Sequence, residues 1–323
     1  MIRVLPGPQS ALDPAGIQAL RIEHLWWLFF GIAAVVYAIV MAVMLVAAIR
    51  RRNAPLPARA EEAPDRERRL LRIVAGAVGV TVVLLLVMLV GDFTTRRALR
   101  SLEPSDPLEI QVTGHQWWWE FRYQDAIPSN IVTTATELHL PAGRAVELVL
   151  RSADVIHSFW APNLAGKKDL FPGRLTRLFV RADRVGSYTG QCAEFCGNQH
   201  ASMRFHVVVD PPERFQQWLA AQRAPAAAPV TAEQRRGEAV FLGTTCAMCH
   251  SVQGTPARSH VGPDLTHVAS RQWIASGFLP NTRDHLAGWI ADPQRIRPGV
   301  RMPPNPLPPR DVQALVEYLE SLR

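Results

Sequence analysis

The chain has 323 residues, enough for two folded domains beside membrane segments. Its net charge of +7 comes mostly from arginine and forms no basic block with interleaved aromatics, which argues against a nucleic-acid partner. Its four cysteines fall as two close pairs, Cys192/Cys196 and Cys246/Cys249, and none is left over.

In chain order, Leu25 to Ile49 is an uncharged apolar run. At ~1.5 Å per residue it can cross a ~30 Å hydrocarbon core with tilt. Trp26 and Trp27 stand at its start, where an interfacial aromatic belt belongs. A second uncharged run, Ile73 to Val90, completes a transmembrane helical hairpin. The loop between the runs carries Arg50, Arg51, Arg52, Arg59, Arg66, Arg68 and Arg69, whereas only Arg3 and Arg21 precede the first. The positive-inside rule puts this loop in the cytoplasm and both termini outside. No short apolar stretch with a small-residue cleavage site precedes Leu25.

From Leu108 to Asp210 short alternating runs predict strands over Glu137–Leu140, Ala145–Leu150, Leu175–Arg181 and Met203–Val209, spaced as in a β-sandwich. A helical stretch around Arg214 to Ala221 follows. Arg223-Ala-Pro-Ala-Ala-Ala-Pro229 then reads as a semi-stiff linker. Ala232–Phe241 and Pro309–Leu322 are helix-like, with a Pro- and Gly-punctuated middle. The organisation is thus a hairpin region over residues 1–100, a β domain over 101–220, a linker over 221–230 and a helical domain over 231–323.

The first cysteine pair lies in Cys192-Ala-Glu-Phe-Cys196-Gly-Asn-Gln-His200-Ala-Ser-Met203. Two thiolates, an imidazole and a thioether make a soft ligand set; zinc has little use for the methionine, whereas copper takes all three types. A second cysteine on the same loop lets both sulfurs bridge two metals. Spreading charge over two ions limits bond-length changes on reduction and favours fast electron transfer. The second imidazole has to come from elsewhere, and His157 in Asp154-Val-Ile-His-Ser-Phe-Trp160 is the best candidate. The alternative is a Cys192–Cys196 disulfide, which leaves His200 and Met203 unexplained. His139 and His206 fall inside strand patterns and read as ordinary strand residues; His24 and His115 have no evident partner.

The loop, preceded by His-Ser-Phe-Trp160, Pro172-Gly-Arg174, Gly190-Gln-Cys192 and Gly114-His-Gln-Trp-Trp-Trp119, resembles the CuA domain of cytochrome c oxidase subunit II over about residues 20 to 220. The resemblance implies a cupredoxin-like sandwich. In it His157, Cys192, Cys196, His200 and Met203 hold the dinuclear copper through side chains, and Glu194 does so through its backbone carbonyl. It also implies that the Glu194 carboxylate helps hold a magnesium ion at the contact with subunit I. Trp117 and Trp119 are expected to share a strand face with Trp118 opposite, and the resemblance makes Trp117 the point where electrons enter above the copper. Two departures stand out. Arg122 replaces the acidic residue often used to dock a soluble cytochrome, and Arg69-Leu-Leu-Arg-Ile73 lacks the Trp-Thr-x-x-Pro motif that often enters the second helix.

Cys246-Ala-Met-Cys249-His250 has the c-type haem attachment pattern: two thiols add to the vinyl groups and the next imidazole reaches the iron. Met302 in Val300-Arg-Met302-Pro-Pro304 is the favoured sixth ligand, which would raise the potential; His260, His267 and His285 are rivals. Met248, inside the motif, cannot curl to the far face. The carbonyl of Pro263 in Gly262-Pro-Asp-Leu265 can accept the other ring N–H of His250. Residues 232 to 322 resemble a class I cytochrome c domain. That likeness implies that Gly237 and Phe241 pack the first helix across the last near Leu315 and Tyr318. A fused cytochrome of this kind is found in caa-type oxidases, and it gives Arg122 a rationale, because the donor is covalently attached.

Together the resemblances imply the electron-input subunit of a haem-copper oxidase. Haem c receives electrons from a cytochrome or other respiratory donor, CuA relays them, and subunit I reduces oxygen. Subunit III and membrane lipid are further expected partners. The expected location is a bacterial-type cell membrane with both cofactor domains on the outer face. Two other readings are a CuA-bearing subunit of a nitric oxide reductase and a free-standing membrane-tethered copper and haem carrier.

Overall fold

The computed structural model describes residues 7–52, 64–101 and 106–323. Arg3 and Arg59, counted in the charge comparison above, lie outside the described residues.

Two helices, α1 (Ile17–Arg52) and α2 (Pro64–Arg100), contain the two apolar runs. At 36 and 37 residues each is about 55 Å long, well beyond the ~30 Å of a hydrocarbon core. The surplus is charged: Arg50, Arg51 and Arg52 end α1, and Asp65 and Glu67 open α2. The helices meet at Gly91, where an added Cβ would lie 3.0 Å from Leu28 Cδ2. Small residues at such crossings let apolar helices approach closely.

The β region forms a sandwich of two five-stranded sheets. Its strands are β1 (Leu108–His115), β2 (Trp118–Tyr123), β3 (Val132–Ala135), β4 (Glu137–Pro141), β5 (Ala145–Ser152), β6 (His157–Trp160), β7 (Lys168–Leu170), β8 (Thr176–Arg181), β9 (Gly186–Cys192) and β10 (Arg204–Asp210). One sheet runs β3-β2-β1-β5-β8 and the other β4-β10-β9-β6-β7. Each mixes antiparallel pairs with one parallel pair, β1 with β5 and β4 with β10. Alternating residues of the facing strands, among them Val112, Phe121, Leu148, Phe159, Phe205 and Val207, fill the core. Residues before α1 also join it: Ala15 is buried in the core, and its N–H donates to Asn163 O at 2.7 Å. Helix α3 (Pro212–Gln222) closes one end with Phe215 and Leu219.

His139 is an ordinary strand residue in position but not in surroundings. Its Nδ1 lies 3.1 Å from Asp210 and its Nε2 3.9 Å from Glu137, with the ring stacked on Trp218 at 4.0 Å. Burial pulls the imidazole pKa down, but the hydrogen bonds and charges of the two carboxylates outweigh it and the net shift is upward. A pKa raised by folding stabilises below the unfolded value of about 6.5, and that contribution is lost as pH rises through the folded value. The sandwich of wild type is therefore expected to lose more thermal stability between pH 6 and pH 9 than His139→Gln does. Equal pH slopes in parallel melts would show that His139 carries no charge in the folded protein.

The C-terminal region has its own core, built from α4 (Ala232–Gly243), α5 (Cys246–Cys249), a short hairpin of β11 (Trp273–Ile274) and β12 (Leu279–Pro280), α6 (Arg283–Ala291), α7 (Pro293–Ile296) and α8 (Pro309–Ser321). Thr231 starts α4 with a capping box: its hydroxyl accepts from Gln234 N at 3.0 Å, and Gln234 Oε1 accepts from Thr231 N at 3.2 Å. Helices α4 and α8 cross at Gly237, beside Phe241 and Tyr318. The segment after α3 is extended but tied down. Arg223 bonds Asp125 at 2.9 Å, Ala226 N donates to Gln253 O at 3.1 Å, and Ala224 O lies 2.9 Å from His267 Nε2.

Candidate metal centre and haem-attachment site

A single sheet, β4-β10-β9-β6-β7, delivers both the ligand loop and a strand end to the same place. Strand β9 ends at Cys192 and β10 begins after Met203, so residues 193–203 form the connection between two paired strands. Cys192 N donates to Met203 O at 2.9 Å and closes the base of the loop. Ala193 N donates to Ser158 O at 2.9 Å and ties it to β6, which starts with the fully buried His157. Gly197 at φ +110 supplies the reversal that returns the chain toward His200.

Around the two sulfurs the donors converge. Cys192 Sγ is 3.8 Å from His157 Nδ1 and 3.2 Å from the Glu194 carbonyl oxygen. Cys196 Sγ is 3.6 Å from His200 Nδ1 and 3.7 Å from Met203 Sδ. The donor atoms of His157, Cys192 and Cys196 all lie within 4.8 Å of one another. Both thiols are free and buried. A hydrogen bond from Cys196 pulls the Cys192 thiol down to about 3, helped by His157, and the same bond pushes Cys196 up. One proton thus leaves the pair readily, as thiolate ligation requires. Asp154 Oδ1 sits 2.8 Å from His157 Nε2 and leaves Nδ1 to the sulfur side.

Trp117 differs from expectation. It does not share a strand with Trp119: β2 begins at Trp118, and Trp117 lies in the turn after β1. The turn's polar groups are engaged elsewhere, Gln116 N with Asp154 at 2.7 Å and Trp117 O with the Ser276 hydroxyl at 2.6 Å. Trp119 is fully buried in the core, and Trp118 stacks on His115 at 4.1 Å. The Trp117 indole N–H donates to Cys196 O at 2.9 Å, and Gln116 Nε2 donates to the same oxygen at 2.7 Å. The role of Gln116 gave no sequence signal. Asp154 could have been found, since it stands three residues before His157 in the same segment.

In the helical region Cys246 and Cys249 occupy the single turn of α5, followed directly by His250 in extended conformation. His250 Nδ1 donates to Pro263 O at 2.7 Å, and its Nε2 makes no hydrogen bond to a described residue. Burial is the main cause of its lowered pKa, which keeps the imidazole neutral and able to bind a metal. A Cβ at Gly262 would stand 2.7 Å from His250 Cε1, so only glycine leaves room for the ring. Met302 lies on the loop between α7 and α8. Gln294, which no motif flagged, shapes this loop: its side-chain N–H groups donate to Val300 O at 2.6 Å and Met302 O at 2.7 Å, and its carbonyl accepts from Gly299 N at 2.9 Å. Of the rival histidines, His267 has both ring nitrogens against carbonyls, Arg323 O and Ala224 O. His285 Nδ1 is engaged by Thr282.

Both donor sets fit the groups their chemistry suggests: a soft sulfur and imidazole cluster for copper, and paired thiols beside an oriented imidazole for haem c. The family model for "Cytochrome C oxidase subunit II, periplasmic domain" matches residues 128–210, and that for "Cytochrome c" matches residues 234–323. Cytochrome c oxidase subunit 2 of Alkalihalophilus pseudofirmus is 32% identical over 321 residues, covering 97% of this chain and 91% of the relative. The protein of that name from Bacillus sp. (strain PS3) is 32% identical over 227 residues, 66% of this chain and 62% of the relative. The solved periplasmic domain of subunit II of cytochrome oxidase (CoxB) of Bradyrhizobium japonicum is 29% identical, covering 37% of this chain and 96% of that one, with a TM-score of 0.35.

The molecule is therefore a membrane-anchored electron-transfer subunit with an outward-facing CuA domain and a c-type cytochrome domain. The chain belongs to the cytochrome c oxidase subunit 2 family. It feeds electrons to subunit I of a haem-copper oxidase.

Proposed function

We propose that His157, Cys192, Cys196, His200 and Met203, with the Glu194 carbonyl, hold the dinuclear copper, and that Cys246, Cys249, His250 and Met302 hold haem c. The observation that carries the copper assignment is the convergence of four other donors on two cysteine sulfurs only four positions apart in sequence. When bound, the copper pair and the haem iron each take up and release an electron without breaking a bond. The chain keeps their surroundings fixed. Asp154 orients His157, Pro263 orients His250, and the Gln116 and Trp117 N–H groups pin the Cys196 carbonyl.

On this basis the chain divides into an anchor over 1–100, a copper domain over 101–220, a linker over 221–230 and a cytochrome domain over 231–323. Trp117 is the point where electrons reach the copper domain, supported by its bond to the Cys196 carbonyl. The Glu194 carboxylate is exposed beside Phe195, which is 77% exposed, a patch suited to magnesium and subunit I at one contact. Subunit III rests on the family resemblance alone. The donor is a cytochrome or another respiratory carrier, and the membrane is a bacterial cell membrane, as the bacterial relatives suggest.

Met302→Ala tests the assignment of Met302 as a haem ligand. Haem is expected to stay covalently attached through Cys246 and Cys249, while the sulfur-to-iron absorption band disappears and the potential falls. An unchanged band would place another residue on the iron.

A further inference from the structure

The copper and cytochrome regions meet along a seam whose partners lie from 67 residues apart (His206 and Trp273) to 185 (Gln116 and Arg301) in sequence. At one end Glu137, 4% exposed in β4, accepts the backbone N–H groups of Gln272 and Trp273 at 2.5 and 3.0 Å. Next to it the His206 ring stacks on Trp273 at 4.5 Å, and its Nε2 lies 3.3 Å from Gly277 O. In the middle Ser276 donates to the Trp117 carbonyl at 2.6 Å. At the other end Arg297, 2% exposed, donates to Gln199 Oε1 at 3.0 Å and to Ala275 O at 2.6 Å. Gln199 donates back to Pro298 O, and Arg301 donates to Gln116 Oε1.

Charged groups at transient contacts stay at the wet rim, whereas Glu137 and Arg297 are buried here with partners on the opposite side. That is the pattern of a lasting contact. The seam also joins two particular loops. Arg301 precedes Met302, and its partner Gln116 donates its other amide group to Cys196 O at 2.7 Å. Two hydrogen bonds therefore lead from the residue beside Met302 to the backbone of Cys196.

We propose that the cytochrome domain is latched onto the copper domain along this seam, and that Arg301 and Gln116 are the positioning pair that sets the Met302 loop against the Cys192–Met203 loop. The proposal rests on the assignment of Met302 and Cys196 given above. The chain's own cytochrome domain thereby occupies the surface around the Trp117 carbonyl.

Two measurements on the complete oxidase complex test this. Amide hydrogen exchange at Gln272 and Trp273 is expected to be at least tenfold slower in wild type than in Glu137→Ala, because Glu137 is their acceptor across the seam. Exchange in wild type at the rate of an open peptide would show that the domains are not latched. Flash reduction of the haem domain, followed at the copper absorbance, is expected to show transfer at least tenfold slower in Arg301→Ala, with much of the loss recovered in Arg301→Lys. Both metal spectra should be unchanged in these variants. An unaltered transfer rate in Arg301→Ala would overturn the positioning role. So would loss of the copper spectrum, since Arg301 would then be supporting the metal loop itself. The ligand assignment is judged separately, by the sulfur-to-iron band in Met302→Ala with Arg301 intact.

Discussion

Replacing Cys196 with Ser is expected to remove the mixed-valence copper signature and most oxygen consumption while leaving haem c attached and reducible. Cys196 gathers two of the donors, with His200 Nδ1 at 3.6 Å and Met203 Sδ at 3.7 Å of its sulfur. An alcohol is a hard, poorly coordinating substitute for a thiolate toward copper. The change is otherwise nearly isosteric, and the Cys196 backbone would keep its bonds from Gln116 and Trp117, so the sandwich should stay folded. The cytochrome domain has separate ligands and a separate core. Rapid-mixing spectra should therefore show haem c filling quickly and draining slowly. Oxygen consumption near wild type in copper-depleted Cys196→Ser would mean that electrons bypass the copper centre.

Gly237→Ala is expected to destabilise the cytochrome domain by ~3 kcal/mol or more. Intrinsic propensity points the other way, since alanine in a helix interior is favoured over glycine by ~1 kcal/mol. Geometry decides the sign. An added Cβ would sit 2.0 Å from Ala314 O and 2.7 Å from Tyr318 Cβ, and a backbone carbonyl cannot swing aside as a side chain can. The α4–α8 crossing must open, loosening Phe241 from Tyr318 in the core. For a domain of this size such a loss lowers the melting temperature by roughly 12–24 °C. The copper spectrum should hold through the early, cytochrome-only transition. A haem-domain melt at or above the wild-type temperature would show that the helices do not cross at Gly237.

Much of this architecture was legible because its information is local. The copper loop carries its sulfurs, imidazole and thioether within one short connection, and strand pairing at its base brings their donor atoms within a few ångströms of each other. The same holds for Cys246, Cys249 and His250 on one helical turn. The strands predicted at Glu137, Ala145, Leu175 and Met203 appear with shifts of one or two residues at their ends. What escaped is long-range. Trp117 looked like a strand residue by alternation, yet its neighbour's N–H and its own carbonyl are claimed by Asp154 and Ser276, far away in the chain. His139 reads as a half-buried strand position until Asp210 and Glu137 are seen around it. No periodicity could assign Gln116, Gln199 or Gln294, since a glutamine side chain takes its meaning from whatever carbonyl or amide the fold brings near it.

The anchored segment after α3 changes how the tethered donor should be treated kinetically. A free chain of this length would act as a flexible leash, and its effect would be an effective concentration in the millimolar range set by end-to-end distance. Here Arg223 is held by Asp125 and the Asn130 carbonyl, Ala226 by Gln253, and Ala224 by His267. Residues on both sides of the leash are thus fastened to it, and little slack remains for a search. Lengthening it by inserted Gly-Ser units should therefore leave the turnover rate flat, without the decline as the −3/2 power of length that a diffusing partner would show.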